Sequence, residues 1–206
     1  MTLSFEKDRR YTVQEYLELE GGSPEEKFEF RDGYVVAMRE ALAMAGGSFA
    51  HVGIASNFLV ALSTRLRGGP CLAYGSDLRV RIPRKTLYTY PDISVICGKA
   101  EIESHPTAGD TATNPKLIVE VLSASTELFD RGRKFALYRE IPSFVEYVLV
   151  AQTDPRVEAF VRHEDGGWSF RPFVGVEDTA KFPSINVEIP LREIYDGVTF
   201  PDSMLG

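Results

Sequence analysis

Cysteine and histidine are scarce in this chain, with two and three copies in 206 residues, and that scarcity removes several function classes at once. The three His and two Cys lie too far apart for an HExxH helix or paired CxxC units, so a zinc centre has no ligand set. Cys71 and Cys97 each stand inside a strand-like run, a placement that predicts buried free thiols rather than a disulfide framework. Apolar runs long enough to cross a bilayer are missing, and the opening MTLSFEKDRRY is charged rather than apolar. A cytoplasmic protein without membrane association is the expectation. The chain also lacks a GxSxG elbow, a P-loop and a GxGxxG fingerprint, so serine hydrolase, NTPase and dinucleotide chemistry have no support. A surplus of positive charge is missing too: 23 Lys and Arg against 30 Asp and Glu give a net charge of −7. Any nucleic-acid contact would therefore rest on a local basic patch.

What is present is an ordinary globular composition, 44% hydrophobic and 26% charged, enough for one substantial core and one domain over residues 1–206. No repeat or low-complexity segment occurs. TVQEYLELEGG predicts a short helix capped by Thr12, and KFEFRDGYVVAM a hairpin turning at Asp32-Gly33. Apolar residues recur at helical spacing from Ser48 to about Leu66. The runs CLAYGSDLRVRIP and LYTYPDISVICG predict two strands joined by the basic turn Arg84-Lys85. Residues 99–115 have little periodicity and predict a long loop. KLIVEVL is nearly all apolar, as in a strand at a sheet centre, and a helix is expected from Ser123–Thr126 to about Glu140. A C-terminal meander and a final helical turn complete an α/β sandwich with a mixed sheet.

Two carboxylates stand out. In the strand led by Pro91, alternation puts Asp92, Ser94 and Ile96 on one face; in KLIVEVL, Ile118, Glu120 and Leu122 share a face. An unpaired ionised Glu120 inside a buried strand would cost several kcal/mol, so it requires a proton, a cationic partner or a metal. If the two strands are neighbours, Asp92 and Glu120 converge, and such an all-oxygen pair suits a hard cation, Mg²⁺ or Mn²⁺ rather than zinc. Asp130, Lys134 and Tyr138 form an i, i+4, i+8 stripe on the following helix, and that stripe could face the carboxylates.

Pro91-Asp92, Glu120-Val121-Leu122-Ser123 and STELFDRGRKFALYREIPSFVEYVLV resemble the Uma-two family of endonucleases, within the PD-(D/E)XK restriction-endonuclease-like superfamily. The likeness runs from Tyr11 to about Asp196 and includes YTVQEYLELE, the FEFRDGYVVAM hairpin and a helix start bearing His51. It implies a restriction-endonuclease-like core with a central mixed sheet, flanking helices and an N-terminal hairpin extension. It implies metal-dependent hydrolysis of phosphodiester bonds in nucleic acid, with DNA the expected substrate, and with Asp92, Glu120 and the main-chain carbonyl of Val121 as ligands and Glu29 as an auxiliary acid. One departure stands in the pattern: the superfamily places a lysine two residues after the Glu, and this chain has Leu122 there. The resemblance supports Lys134, from the next helix, in its stead.

Simpler readings exist for each residue. Asp92 can begin a strand, Glu120 can sit in a buried salt bridge with a cation such as Lys134, Lys134 can pair with Asp130 on a surface, His51 can be a helix-end residue, and Glu29 and Asp77 can face solvent. Arg79, Arg81, Arg84, Lys85, Arg131 and Arg133 could steer a phosphate backbone or form solvated faces. A glycosidase could use an Asp/Glu pair but needs neither the lysine nor the metal. The main rival is a nuclease fold without turnover, serving as a nucleic-acid-binding or assembly module. A homodimer is compatible with cleavage of two strands.

Overall fold

The computed structural model describes residues 4–38, 48–82 and 87–200; the basic turn Arg84-Lys85 lies outside them. In chain order the elements are α1 (Val13–Gly21), β1 (Phe28–Arg31), β2 (Tyr34–Ala37), α2 (Phe49–Leu66), β3 (Cys71–Gly75), β4 (Arg79–Ile82), β5 (Leu87–Thr89), β6 (Ile93–Cys97), β7 (Ile102–His105), β8 (Gly109–Ala112) and β9 (Leu117–Val121). There follow α3 (Glu127–Phe129), a π-helical turn (Asp130–Lys134), α4 (Phe135–Tyr138), β10 (Glu146–Val150), β11 (Arg156–Arg162), β12 (Trp168–Val174), β13 (Thr179–Phe182), β14 (Val187–Pro190) and α5 (Leu191–Ile194).

Local chemistry explains the best-defined pieces. Thr12 and Glu15 form a reciprocal capping box at the start of α1, which supplies partners for two otherwise unpaired N–H groups. Asp32 and Gly33 both take positive φ, 51° and 91°, as the two-residue turn between β1 and β2 requires.

The central sheet has the order β12-β11-β10-β9-β6-β3. It is mixed: β9 and β10 run parallel, and the other pairs are antiparallel. Leu117, Val119 and Val121 look to one face, where Ile54, Phe58 and Leu62 of α2 and the β13–β14 hairpin cover them. Ile118, Leu122, Tyr147 and Leu149 look to the other face, packed against Val80, Ile82 and Leu87 of a second sheet and against Tyr138, Ile141 and Phe144. The alternation read from KLIVEVL is the one observed. Glu120 therefore lies in the second layer, between the sheets and under the helical segment 127–138.

The second sheet has the order β2-β1-β5-β4-β8-β7, and it corrects three expectations. CLAYGSDLRVRIP is two strands, β3 in the central sheet and β4 in the second, with a break at Ser76–Leu78. LYTYPDISVICG likewise divides into β5 and β6 at Tyr90-Pro91-Asp92. Each break carries a local mark, the turn-forming Gly75-Ser76-Asp77 in one and Pro91, which has no N–H to give a ladder, in the other; neither mark says that the chain passes to another sheet. Residues 99–115 hold the β7–β8 hairpin rather than a long loop; its polar, largely exposed residues obscure the strand signal. A fourth correction concerns the cysteines. Cys71 and Cys97 are direct partners in the β3–β6 ladder and form a disulfide, so they are not free thiols. Among the described residues, no helix is long and apolar enough to cross a membrane.

Candidate active site

The β6–β9 ladder pairs Ile93 with Val119, so one step further Asp92 stands opposite Glu120. Pro91 ends the approach from β5, and Asp92 marks the point where the chain enters the central sheet. One Asp92 oxygen, Oδ2, accepts the Val121 N–H at 2.7 Å, and Oδ1 lies 3.0 Å from His51 Nε2. The Leu122 N–H donates to Val150 on β10 at 2.8 Å. Val121 therefore turns its N–H, and with it its carbonyl, to the opposite edge, toward Asp92. Asp92, Glu120 and the Val121 carbonyl edge thus lie together at the β6–β9 junction.

Glu120 is buried, and its Oε1 accepts from Tyr138 Oη at 2.7 Å and pairs with Lys134 Nζ at 2.8 Å. Lys134 Nζ also lies 3.5 Å from Asp130 Oδ1. The helical stripe thus meets the strand carboxylate, with Asp130, Lys134 and Tyr138 all buried. The π turn that contains Asp130 and Lys134 adds a residue to the local repeat and is a feature often found at functional sites. Glu29, buried on β1, bonds Thr89 Oγ1 and pairs with Arg31, and its charge acts on Lys134. It belongs to the Lys134 side of the cluster.

The electrostatics follow from burial. Burial drives the Glu120 carboxyl up to about 8; Lys134 pulls it down, while Asp130 and Asp92 add to the rise. Burial also works against the Lys134 ammonium, but Glu120, Asp130 and Glu29 together hold its pKa well above the ordinary lysine value. For Glu29, burial is outweighed by Lys134 and Arg31, and its pKa falls. For His51, burial is outweighed by the Asp92 hydrogen bond, and its pKa rises.

The donor set suits a hard divalent cation. Asp92, Glu120 and a main-chain carbonyl are oxygen donors, both sulfurs are committed to the disulfide, and the acids of the cluster exceed the charge that Lys134 neutralises. Among the described residues, no group of three or more His, Cys, Asp or Glu side chains is arranged to hold a metal. A third protein oxygen at this place would have to come from the main chain, where the Val121 carbonyl edge faces Asp92.

Other residues fall outside the cluster. Asp77 is exposed and pairs with Lys27. Arg79 is fully buried and bonded to Thr111 Oγ1 at 2.7 Å and the Ala108 carbonyl at 2.9 Å, so it is not available to a phosphate backbone. Arg81 pairs with Glu103, Arg131 with Glu127 and Glu158, and Arg133 with Asp32. One residue has no sequence signal beyond its place after an apolar strand: Gln152, just past β10, whose Nε2 lies 2.6 Å from the Leu122 carbonyl and 3.3 Å from His51 Nδ1.

The central mixed sheet, with helices and a second sheet packed on its faces, is a restriction-endonuclease-like fold. The fold is shared with a crystal structure from Anabaena variabilis described as "a putative nuclease belonging to DUF820". The match has a TM-score of 0.64 at 13% identity and covers 84% of this chain and 92% of that one. The Uma2 family model, described as "Putative restriction endonuclease", matches residues 13–192, and the chain belongs to that family. Two uncharacterized proteins of Synechocystis sp. (strain ATCC 27184 / PCC 6803 / Kazusa) are similar along most of their length. Protein slr1290 is 35% identical over 191 residues, 93% of this chain and 94% of its own, and sll1609 is 32% identical over 176 residues, 85% and 94%.

Proposed function

We propose that this protein is a divalent-metal-dependent endonuclease of PD-(D/E)XK type that hydrolyses phosphodiester bonds in nucleic acid, with DNA as the expected substrate. The observation that carries the reading is the Lys134 ammonium, 2.8 Å from the Glu120 carboxylate that stands opposite Asp92. Asp92, Glu120 and the Val121 carbonyl would hold Mg²⁺ or Mn²⁺. When bound, such a cation polarises the scissile phosphate and lowers the pKa of a bound water. The chain's own residues prepare the site. The Val121 N–H donates to one Asp92 oxygen and His51 Nε2 lies 3.0 Å from the other, which orients that carboxylate. Tyr138 donates to Glu120. Asp130 and Glu29 keep Lys134 charged, so its ammonium is ready to stabilise the negative charge that develops on the phosphate oxygens.

Parent, Asp92→Ala and Glu120→Ala proteins, incubated with linear duplex, supercoiled and single-stranded DNA and with RNA in Mg²⁺ or Mn²⁺, test the reading. The parent should cut and lose activity in EDTA, while both variants remain folded and cut nothing. Retained cleavage in folded variants would remove these carboxylates from the mechanism.

A second reading has its own observation: Lys134 already pairs with Glu120, so the acids are accommodated without a metal, as a non-cleaving binding or assembly module requires. Calorimetry separates the two, because such a module has no need to bind Mg²⁺ or Mn²⁺.

A further inference from the structure

Gln152 stands at the end of β10 and touches two elements that the chain brings there independently, the end of β9 and the start of α2. An amide can be drawn in either of two orientations, and its partners decide between them. The Leu122 carbonyl, 2.6 Å away, only accepts, so the Gln152 atom facing it is Nε2. The other side of the amide fits that choice. Ser48 Oγ accepts the His51 N–H at 3.0 Å as the cap of α2, which leaves its own hydrogen for Gln152 Oε1. The second Nε2 hydrogen faces His51 Nδ1 at 3.3 Å, so Nδ1 must present a lone pair. In the neutral ring the proton then sits on Nε2, 3.0 Å from Asp92 Oδ1. The opposite tautomer would set a lone pair against the carboxylate and two N–H groups against each other.

We infer that Gln152 is a positioning residue for the acidic centre, which fixes His51 in the Nε2–H tautomer so that Asp92 is held by a donor at each oxygen. Four elements are tied by this chain of bonds: the start of α2, the end of β10, the end of β9 and the head of β6. The consequence for turnover rests on the nuclease reading above; the tautomer itself does not.

The test is a long-range ¹H–¹⁵N spectrum of the ¹⁵N-labelled full chain, at a pH above the His51 titration as followed in the same spectra. The three histidines, His51, His105 and His163, are separated with a His51→Gln variant. The parent should show Nδ1 bare and Nε2 protonated. Gln152→Met keeps the length of the side chain without its amide and should give a mixture of both tautomers. It should also lower kcat about 10- to 100-fold, as loss of an outer hydrogen-bonding partner does. A parent His51 protonated on Nδ1 would overturn the inference without any variant, as would an unchanged His51 spectrum in folded Gln152→Met. A tautomer shift in Gln152→Met, together with no cleavage by the parent, would support the positioning role and reject the nuclease reading.

Discussion

Lys134→Met is the change that most directly probes the centre, because methionine keeps most of the buried stem and removes only the charge. In the parent, Nζ serves Glu120 at 2.8 Å and Asp130 at 3.5 Å, and Glu29 also acts on it. Breaking such a buried pair from one side costs about 3–5 kcal/mol. A second route gives a similar figure. Without the ammonium, one further carboxyl must take up a proton to remain buried. Each pH unit above the ordinary carboxyl value of 4.5 makes that protonation about 1.4 kcal/mol more costly. At pH 8 the sum is about 5 kcal/mol, and at pH 5.5 it is about 1.4 kcal/mol. For a chain of this size, 1 kcal/mol moves Tm by about 2–4 °C. Thermal unfolding in EDTA, followed by circular dichroism, should therefore show a loss of about 6–20 °C at pH 8 and only a few degrees at pH 5.5. Mn²⁺ should then raise the Tm of the variant, by about 2.7 kcal/mol of stabilisation at a hundredfold excess over its Kd. A pH 8 Tm within 2 °C of the parent, or an equal loss at both pH values, would refute the picture of one buried cation shared among acids.

Other outcomes follow from the same geometry. Leu122→Lys in a Lys134→Ala background should restore part of a cleavage rate lowered on the order of 10²-fold or more by Lys134→Ala alone, because residue 122 projects from the face that bears Glu120. Single-turnover rates, measured where both proteins are folded, check this, and a double variant that folds but cuts no faster would leave Leu122 with a packing role only. Glu146 is fully buried, and burial raises its carboxyl to about 7 despite the Ser184 bonds, so the folded state holds a proton that the unfolded state releases. That group lowers stability progressively from about pH 4.5 to pH 7, by up to about 3 kcal/mol; Glu146→Gln should flatten this slope in urea titrations, and an unchanged slope would place the cause elsewhere. Reduction of Cys71–Cys97 reopens a loop spanning 26 positions, worth about 3.5 kcal/mol in the chain-entropy account. Dithiothreitol should lower Tm by about 7–14 °C, and an unmoved Tm would contradict a disulfide in the folded protein.

How far the sequence revealed this structure depended on whether a signal was local. Asp32-Gly33 and the Thr12 cap act within a few residues, and both are where the sequence predicts them. The alternation in KLIVEVL needs only the pleat, and it correctly put Glu120 with Ile118 and Leu122. What was hidden depended on partners distant in the chain. The pairing of Cys71 with Cys97 is a matter of register between β3 and β6, and Gly75-Ser76-Asp77 signals a turn without saying that the next strand joins another sheet. Gln152 meets His51 across 101 positions, with no periodicity to connect them.

The position of Lys134 would let the proposed chemistry proceed with a leucine at residue 122. Leu122 lies in the apolar layer with Ile118, Tyr138 and Leu149, and its carbonyl is engaged by Gln152. A lysine there would forfeit roughly 1.5–3 kcal/mol of burial. Its ammonium would also lie among groups that the helix already supplies with one cation. The helical segment covers this face from above, and the π turn and following α-helical turn present Asp130, Lys134 and Tyr138 together. Tyr138 and Lys134 both reach Glu120 Oε1, so the strand carboxylate is addressed by two successive turns of one segment. The proposed chemistry requires an ammonium beside Glu120, and a strand neighbour or a helix above the strand can each place one there. The apolar Leu122 is then free to seal the layer beneath.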